Sequence, residues 1–311
     1  MSAVVGVVPN FSEGRRREVI DAIVDALVVE GARVVFAEAD ADHNRLDTTV
    51  LGDPDAVRRS ALAGAAAAVE RIDMFTHTGG HPRMGAVDVV PFMPVRDVTM
   101  SAWVDLARSV GEELAEGLDL PVYLYGEAAT VAERRSLADV RKGEFEGLRE
   151  AVARGDRLPD LGPPEIGRAG ATAVGARKPL IAFNVYLTGN DEAAVKQIAR
   201  TIRESSGGLP AVRAIGFEAA ERGYVTVSMN LLDFEVTGIR DAFDAVAVEA
   251  AARALEIVDS EIVGLVPASA ASPEVLTHAR VAGFDPERQV LERLLEDDRT
   301  AVLGSPGTEA P

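Results

Sequence analysis

The 311-residue chain contains no cysteine. Disulfides, thiolate nucleophiles, zinc–thiolate sites and iron–sulfur clusters are thereby excluded, and any chemistry falls to His, Asp, Glu, Ser and Tyr. Also missing is a long apolar run. The longest bland stretch, ALAGAAAAV at 61–69, is far shorter than the ~20 residues that span a bilayer. The opening MSAVVGVVPN has no basic residue ahead of its apolar run, and the arginines of GRRRE come after it, the reverse of a secretory signal. A soluble, cytoplasmic protein with no membrane partner is the expectation. Lysine is nearly absent, with Lys142, Lys178 and Lys196 as the only three. The formal net charge of -18 repels phosphate backbones, and no basic patch interrupts it, so nucleic acid is not an expected partner. Anionic small molecules stay open if a few arginines line one cleft.

The length allows two modest domains. The first hundred residues parse as strand (AVVGVVPNF), helix (REVIDAIVDALVV), strand (ARVVFAEA), strand (LDTTVLG), helix (DAVRRSALAGAAAAVERI) and strand (AVDVVPFMPV). Apolar spacing at Val19, Ile20, Ile23 and Leu27 carries the first helix, and short β-branched runs between Gly, Pro and Asp carry the strands. The last third repeats that order: IAFNVYLTG, EAAVKQIARTIRES, AVRAIGFEA, YVTVSMNLL, RDAFDAVAVEAAARALEI and SEIVGLVPA. Two β-α-β-β-α-β units predict a duplicated, ferredoxin-like α+β fold with two facing sheets, outer helices and a ligand groove between the sheets. Between the repeats come a helix (VDLARSVGEELAEGL), a strand (PVYLYG), a charged helical piece and DLGPPEIGRAGATAVGARK, whose Gly and Pro read as an ordered linker or loop. The expected division is 1–178, 179–300 and a disordered tail at 301–311.

Two of the four histidines flank a Gly-Gly in HTGGHPRMGAVDVVPF, residues 77–92. His77 and His81 are four apart, a metal-ligand spacing on a helix, but Gly79, Gly80 and Pro82 oppose a helix, and no metal is expected. The residue before proline is pushed toward extended geometry, which aims His81 off the entry of the next strand. It is then either a general base or a loop histidine that only bonds backbone. Ser12 in PNFSEG reads first as an N-cap of the following helix, and second as part of a carboxylate site at that helix start. DADHNR, residues 40–45, carries more functional groups than a hairpin turn needs. Arg45 could fork onto a carboxylate, and Asp40, Asp42 or Glu38 could orient a histidine; the other reading is a solvated loop.

PNFSEG, DADHNR, HTGGHPRMGAVDVVPF, PVYLYGEAA, GARKPLIAFNVYL and NLLDFEVT stand here in the order they take in the formiminotransferase family, which the chain resembles over about residues 5–268. The resemblance implies transfer of a formimino group from N-formimino-L-glutamate to N5 of tetrahydrofolate, a co-substrate, giving 5-formiminotetrahydrofolate and L-glutamate in histidine degradation. It implies His81 as the catalytic acid/base. It implies substrate contacts from Asn10, Ser12, Gly14, Asp42, His43, Asn44, Arg45, Arg83, Lys178 and Asn184. Folate contacts fall on the loop Gly162, Pro163, Pro164, Glu165, Ile166, Gly167, Arg168, Ala169 and Gly170. A homodimer is implied as well. Gly80 stands where relatives often carry glutamate, and the folate loop matches the family pattern only at its ends. The alternatives are formyl transfer on the same scaffold, a folate-binding protein without catalysis, and a metal-dependent hydrolase using His43, His77 and His81.

Overall fold

The computed structural model describes residues 4–96, 99–219 and 223–296, so the expected disordered tail at 301–311 lies outside the described residues. The chain divides into two units between Arg177 and Lys178.

The first unit runs β1 (Val4–Val7), β2 (Asn10–Phe11), α1 (Arg17–Leu27), β3 (Ala32–Asp40), β4 (Arg45–Gly52), α2 (Pro54–Arg71), β5 (Val87–Arg96), α3 (Met100–Leu118), β6 (Val122–Gly126), α4 (Leu137–Val140), α5 (Glu144–Ala153) and β7 (Thr172–Ala176). The first predicted strand is broken at Val8-Pro9, because proline has no N–H to give a ladder. Both pieces still pair antiparallel with β4 and β5. Beyond β5 come β7 and then β6, both parallel ladders. The segment read as a linker therefore supplies an inner strand of a seven-stranded sheet. Thr172–Ala176 is short and made of small residues, and only its distant partners make it a strand.

Helix α1 buries Val19, Ile20, Ile23 and Leu27, the face its spacing predicts. Helix α2 buries Ala56, Val57, Ala61, Ala65 and Ala68, small residues that let it lie close to α1. Its start is fixed by Asp53, whose carboxylate accepts from Asp55 and Ala56 N–H, with Pro54 in the first turn where its missing N–H costs nothing.

The second unit runs β8 (Ile181–Leu187), α6 (Glu192–Ile202), β9 (Val212–Ala219), β10 (Tyr224–Leu231), α7 (Ile239–Ala251), β11 (Ile257–Val263), α8 (Pro273–His278), α9 (Pro286–Gln289) and α10 (Leu291–Glu296). Its sheet is wholly antiparallel in the order β11-β8-β10-β9. Numbered within its own repeat, that order is fourth-first-third-second, and β5, β1 with β2, β4 and β3 take the same order in the first unit. Val195, Ile198 and Ile202 of α6 and Ile239, Phe243 and Val246 of α7 are buried. On β9, Val212 and Ala214 are buried while Ile215 is 62% and Phe217 38% exposed. Two sheets with their helices make the fold α+β.

Candidate active site

Three chain segments far apart in sequence converge in the first unit. The loop before α1, the β3–β4 turn and the histidine loop before β5 are stitched together by backbone and side-chain bonds. Asn44 sits at φ +51; its amide oxygen accepts from Gly14 N–H at 2.9 Å and its amide nitrogen donates to Thr78 O at 2.8 Å. Gly80 N–H donates to Asp42 O at 3.2 Å. A Cβ on Gly79 would lie 2.3 Å from His43 O, so glycine is what lets the two turns touch.

His81 is partly buried at this junction, and its Nδ1 lies 2.7 Å from Pro82 O and 3.1 Å from Arg45 Nη1. A carbonyl only accepts and a guanidinium only donates, so Nδ1 serves one of them. The shorter contact assigns the proton to Nδ1, which leaves the Nε2 lone pair free as a base. Burial, and then the charges of Arg45 and Arg141, push His81 down from the usual 6.5 to about 4. The imidazole is therefore neutral across the physiological range.

Arg45 is buried at the start of β4. Its Nε donates to Asp47 at 2.8 Å, its Nη1 to Asp88 at 2.9 Å and its Nη2 to Asn10. Asp88 on β5 is fully buried; one oxygen accepts Met84 N–H at 2.9 Å and the other accepts both Arg45 and Arg141. Burial alone would raise its carboxyl, but Arg141 and Arg45 outweigh that and hold it below the ordinary carboxylate range. Sequence reasoning missed Asp88 and Arg141. Asp88 did leave a signal, an acid set inside the apolar run of a strand; Arg141, in a charged stretch, left none.

His43 Nδ1 donates to the Asp40 carboxylate at 2.5 Å, and the ring stands edge-on to His81 with centroids 6.3 Å apart. Burial works to raise Asp40, and the bonds from His43 backbone and ring lower it on balance. His77 has both ring nitrogens engaged, Nε2 on Asn44 O at 3.2 Å and Nδ1 under Arg83 Nε at 3.4 Å, so it holds the loop and has no lone pair to spare. Among the described residues no group of three or more His, Asp or Glu could hold a metal ion.

Several expected contacts have other partners here. Ser12 does not cap α1: its buried hydroxyl donates to Gly85 O at 2.8 Å, and the cap position is Arg16. Glu13 takes the place of an external carboxylate there, its Oε1 accepting Arg15 and Arg16 N–H at 2.9 and 2.8 Å. Arg83 is gripped by Glu144 and Glu146 at 2.8 and 2.7 Å. Lys178 and Asn184 belong to the second unit, where Lys178 meets Asp233 and Glu235, both at 2.7 Å, and Asn184 sits on β8 opposite Ser228 and Glu261.

The loop Gly162–Gly170 runs back to the histidine loop. Ala169 O accepts Ala86 N–H at 2.8 Å and Arg168 O accepts Met74 N–H at 2.9 Å. Ile166 is buried as its anchor, while Pro164, Glu165, Gly167 and Arg168 are exposed, with Arg168 3.3 Å from Asp73. Beside it a cavity of about 280 Å³ opens, lined by Glu13, Arg15, Asn44, Asp73, His77 and Thr78. His81 is not among the residues that line it.

Residues 4–177 match the Formiminotransferase domain, N-terminal subdomain, and residues 182–295 match the Formiminotransferase domain. The chain belongs to the formiminotransferase family. It is 40% identical to "Glutamate formimidoyltransferase" of Streptococcus pyogenes serotype M1, over 95% of this chain and 99% of the relative. It is 42% identical to the protein of the same name from Thermoplasma acidophilum, over 94% and 98%. With "Formimidoyltransferase-cyclodeaminase" of Sus scrofa the identity is 46% over 87% of this chain and 51% of the relative. Among the described residues no helix is long and apolar enough to cross a membrane.

Proposed function

We propose that this chain is a glutamate formimidoyltransferase, moving the formimino group of N-formimino-L-glutamate to N5 of tetrahydrofolate. The observation that carries the reading is His81, its Nδ1 held between Pro82 O and Arg45 and set among Asn10, Arg45 and Asp88, in a family whose full-length relatives bear that activity in their names.

The N5 amine attacks the amidine carbon, and His81 Nε2 takes the proton that N5 sheds. The tetrahedral adduct then breaks its bond to the glutamate nitrogen, which receives that proton from the imidazolium, and L-glutamate leaves. One histidine thus serves as base and then acid. An imidazole poised low is a reluctant base and a willing acid, so the second step is the easier one. Holding both reactants in place is worth ~7 to 11 kcal/mol, against ~3 to 5 kcal/mol for the proton transfers. The folate contacts belong to the loop Gly162–Gly170, which is tied to the histidine loop through Ala169 and Ala86. We read both units as ferredoxin-like repeats on their shared strand order, and the working protein as a cytoplasmic homodimer.

Mixing the purified protein with tetrahydrofolate and either N-formimino- or N-formyl-L-glutamate, with folate products followed by mass, tests the reading. Formiminotetrahydrofolate is the expected product. Formyl product alone would shift the activity to formyl transfer, and folate binding with no product would remove catalysis.

A further inference from the structure

Arg45 and Arg141 act on His81 and Arg83 stands two residues on in its loop; the three differ in how fully the protein satisfies them. Arg45 donates to Asp47, Asp88 and Asn10. Arg83 donates to Glu144 and Glu146. Arg141, just beyond α4, makes one side-chain hydrogen bond among the described residues, from Nη2 to Asp88. Its Nε–H is buried without a partner, though a guanidinium carries five donors. The side chain keeps 14% of its surface exposed, so a ligand oxygen can reach the group. A purely structural arginine has no reason to carry an unmet buried donor, which is costly.

Charge points the same way. The groups facing His81 are Arg45 and, on its outer side, half-exposed Asp47 from β4; buried Asp88 from β5; Arg141 from the turn after α4; and the Asp40–His43 pair from the β3–β4 turn. One carboxylate, Asp88, is shared by two guanidinium groups. Among the buried groups this leaves two guanidinium groups to one carboxylate beside the residue that needs a basic lone pair, while Asp47 and Asp40 lie half-exposed at the edge, in a chain of net charge -18.

We infer that Arg141 is a docking group for one carboxylate of the glutamyl donor, and that Asp88 is the positioning residue holding Arg141 and Arg45 beside His81 to receive it. The inference rests on the transferase reading above. A guanidinium anchored on one edge presents its remaining donors as a fork, which suits a carboxylate oxygen pair. Arrival of that carboxylate also cancels the excess charge facing His81. Burial first, and then the two guanidinium charges, hold the imidazole down in the free protein; the bound donor offsets the charge part, so the proton acceptor gains basicity when the substrate is present.

The experiment compares three donors, N-formimino-L-glutamate and the N-formimino derivatives of 2-aminobutyrate and 4-aminobutyrate, each of which lacks one carboxylate. They are tested on wild type, Arg141→Gln and Arg141→Lys, with tetrahydrofolate as acceptor. Wild type should favour the full donor over at least one truncated donor by about 10- to 100-fold in kcat/KM, the range for one charged hydrogen-bonding partner. In Arg141→Gln that preference should fall to within a few-fold, with KM for tetrahydrofolate unchanged, and Arg141→Lys should recover part of it. In wild type the acid limb of kcat should lie at higher pH than that of kcat/KM, since the first reports the donor-bound protein and the second the free one. If Arg141→Gln fails to fold, reduced discrimination in Arg141→Lys supports the assignment and full discrimination overturns it. Undiminished discrimination by a folded, active Arg141→Gln overturns it while leaving the transferase reading standing. Absence of transfer by wild type from any donor overturns both.

Discussion

Replacing Asp88 by asparagine removes the charge at the centre of the site while keeping its shape. The carboxylate is wholly inaccessible to solvent, and its second oxygen is shared by Arg45 and Arg141. An amide oxygen can still accept Met84 N–H, but the other side chain position would put an amide against two guanidinium groups that have lost their shared buried counter-charge, Arg45 keeping only half-exposed Asp47. Breaking a buried pair by removing one partner costs about 3 to 5 kcal/mol. At about 2 to 4 °C per kcal/mol for a domain of this size, the melting temperature should fall by about 6 to 20 °C. Asp47→Asn is the control. Asp47 bonds the same arginine at the same kind of distance, 2.8 Å, but its side chain is 50% exposed, and such pairs are worth about 0 to 1 kcal/mol. Thermal and urea unfolding of both variants measure the contrast. Asp88 is held below the ordinary carboxylate range by Arg141 and Arg45 against the pull of burial, so its stabilisation is complete above the unfolded value and fades as pH falls through the folded one. The gap between wild type and Asp88→Asn should therefore narrow in acid. Equal, small losses for Asp88→Asn and Asp47→Asn at neutral pH would refute this reasoning.

Stability should respond to His81 in a different window. Burial, Arg45 and Arg141 push it to about 4 from 6.5, so between those values the unfolded chain binds the proton and the folded one does not. Wild type should lose stability as pH falls from about 6.5 to 4, and His81→Gln should lose less over the same range; identical pH slopes would remove His81 as the cause. Gly79 and Gly80 should behave oppositely. A Cβ on Gly79 meets His43 O at 2.3 Å, whereas the nearest atom to one on Gly80 is Asp42 O at 3.6 Å. Gly79→Ala is expected to lower both activity and melting temperature and Gly80→Ala to leave both near wild type, which activity and calorimetry on the pair would check.

Much of the fold was legible because it is written in short-range patterns. Val19, Ile20, Ile23 and Leu27 repeat at helical spacing and are buried together, and strands β3, β4 and β8 to β10 stand between turn signals. What failed to show was non-local. Thr172–Ala176 has no strand pattern of its own and is made a strand by β5 and β6 on either side. Ser12 followed by Glu13 has the look of a cap, yet the helix starts later, because Glu13 ties Arg15 and Arg16 N–H and Ser12 is drawn off to Gly85.

The site divides along the same line. The motifs around Asn10, Asn44, Arg45 and His81 could be read as unusual local chemistry, and the structure brings those residues together. Arg83, expected to contact substrate, is held by Glu144 and Glu146, more than sixty residues on, a pairing no local pattern announces. Arg141 is bonded into the site through Asp88. A buried charge network is a property of the assembled sheet, and single residues in a sequence do not disclose it.

The most direct test of the account is the single-turnover rate of formimino transfer in His81→Ala, measured beside the binding of folinate. With the proton acceptor removed and the contacts to both reactants kept, the rate should fall by about 10²- to 10⁴-fold while folinate affinity changes by no more than a few-fold. Transfer at the wild-type rate, or a loss of binding that accounts for the loss of rate, would contradict it.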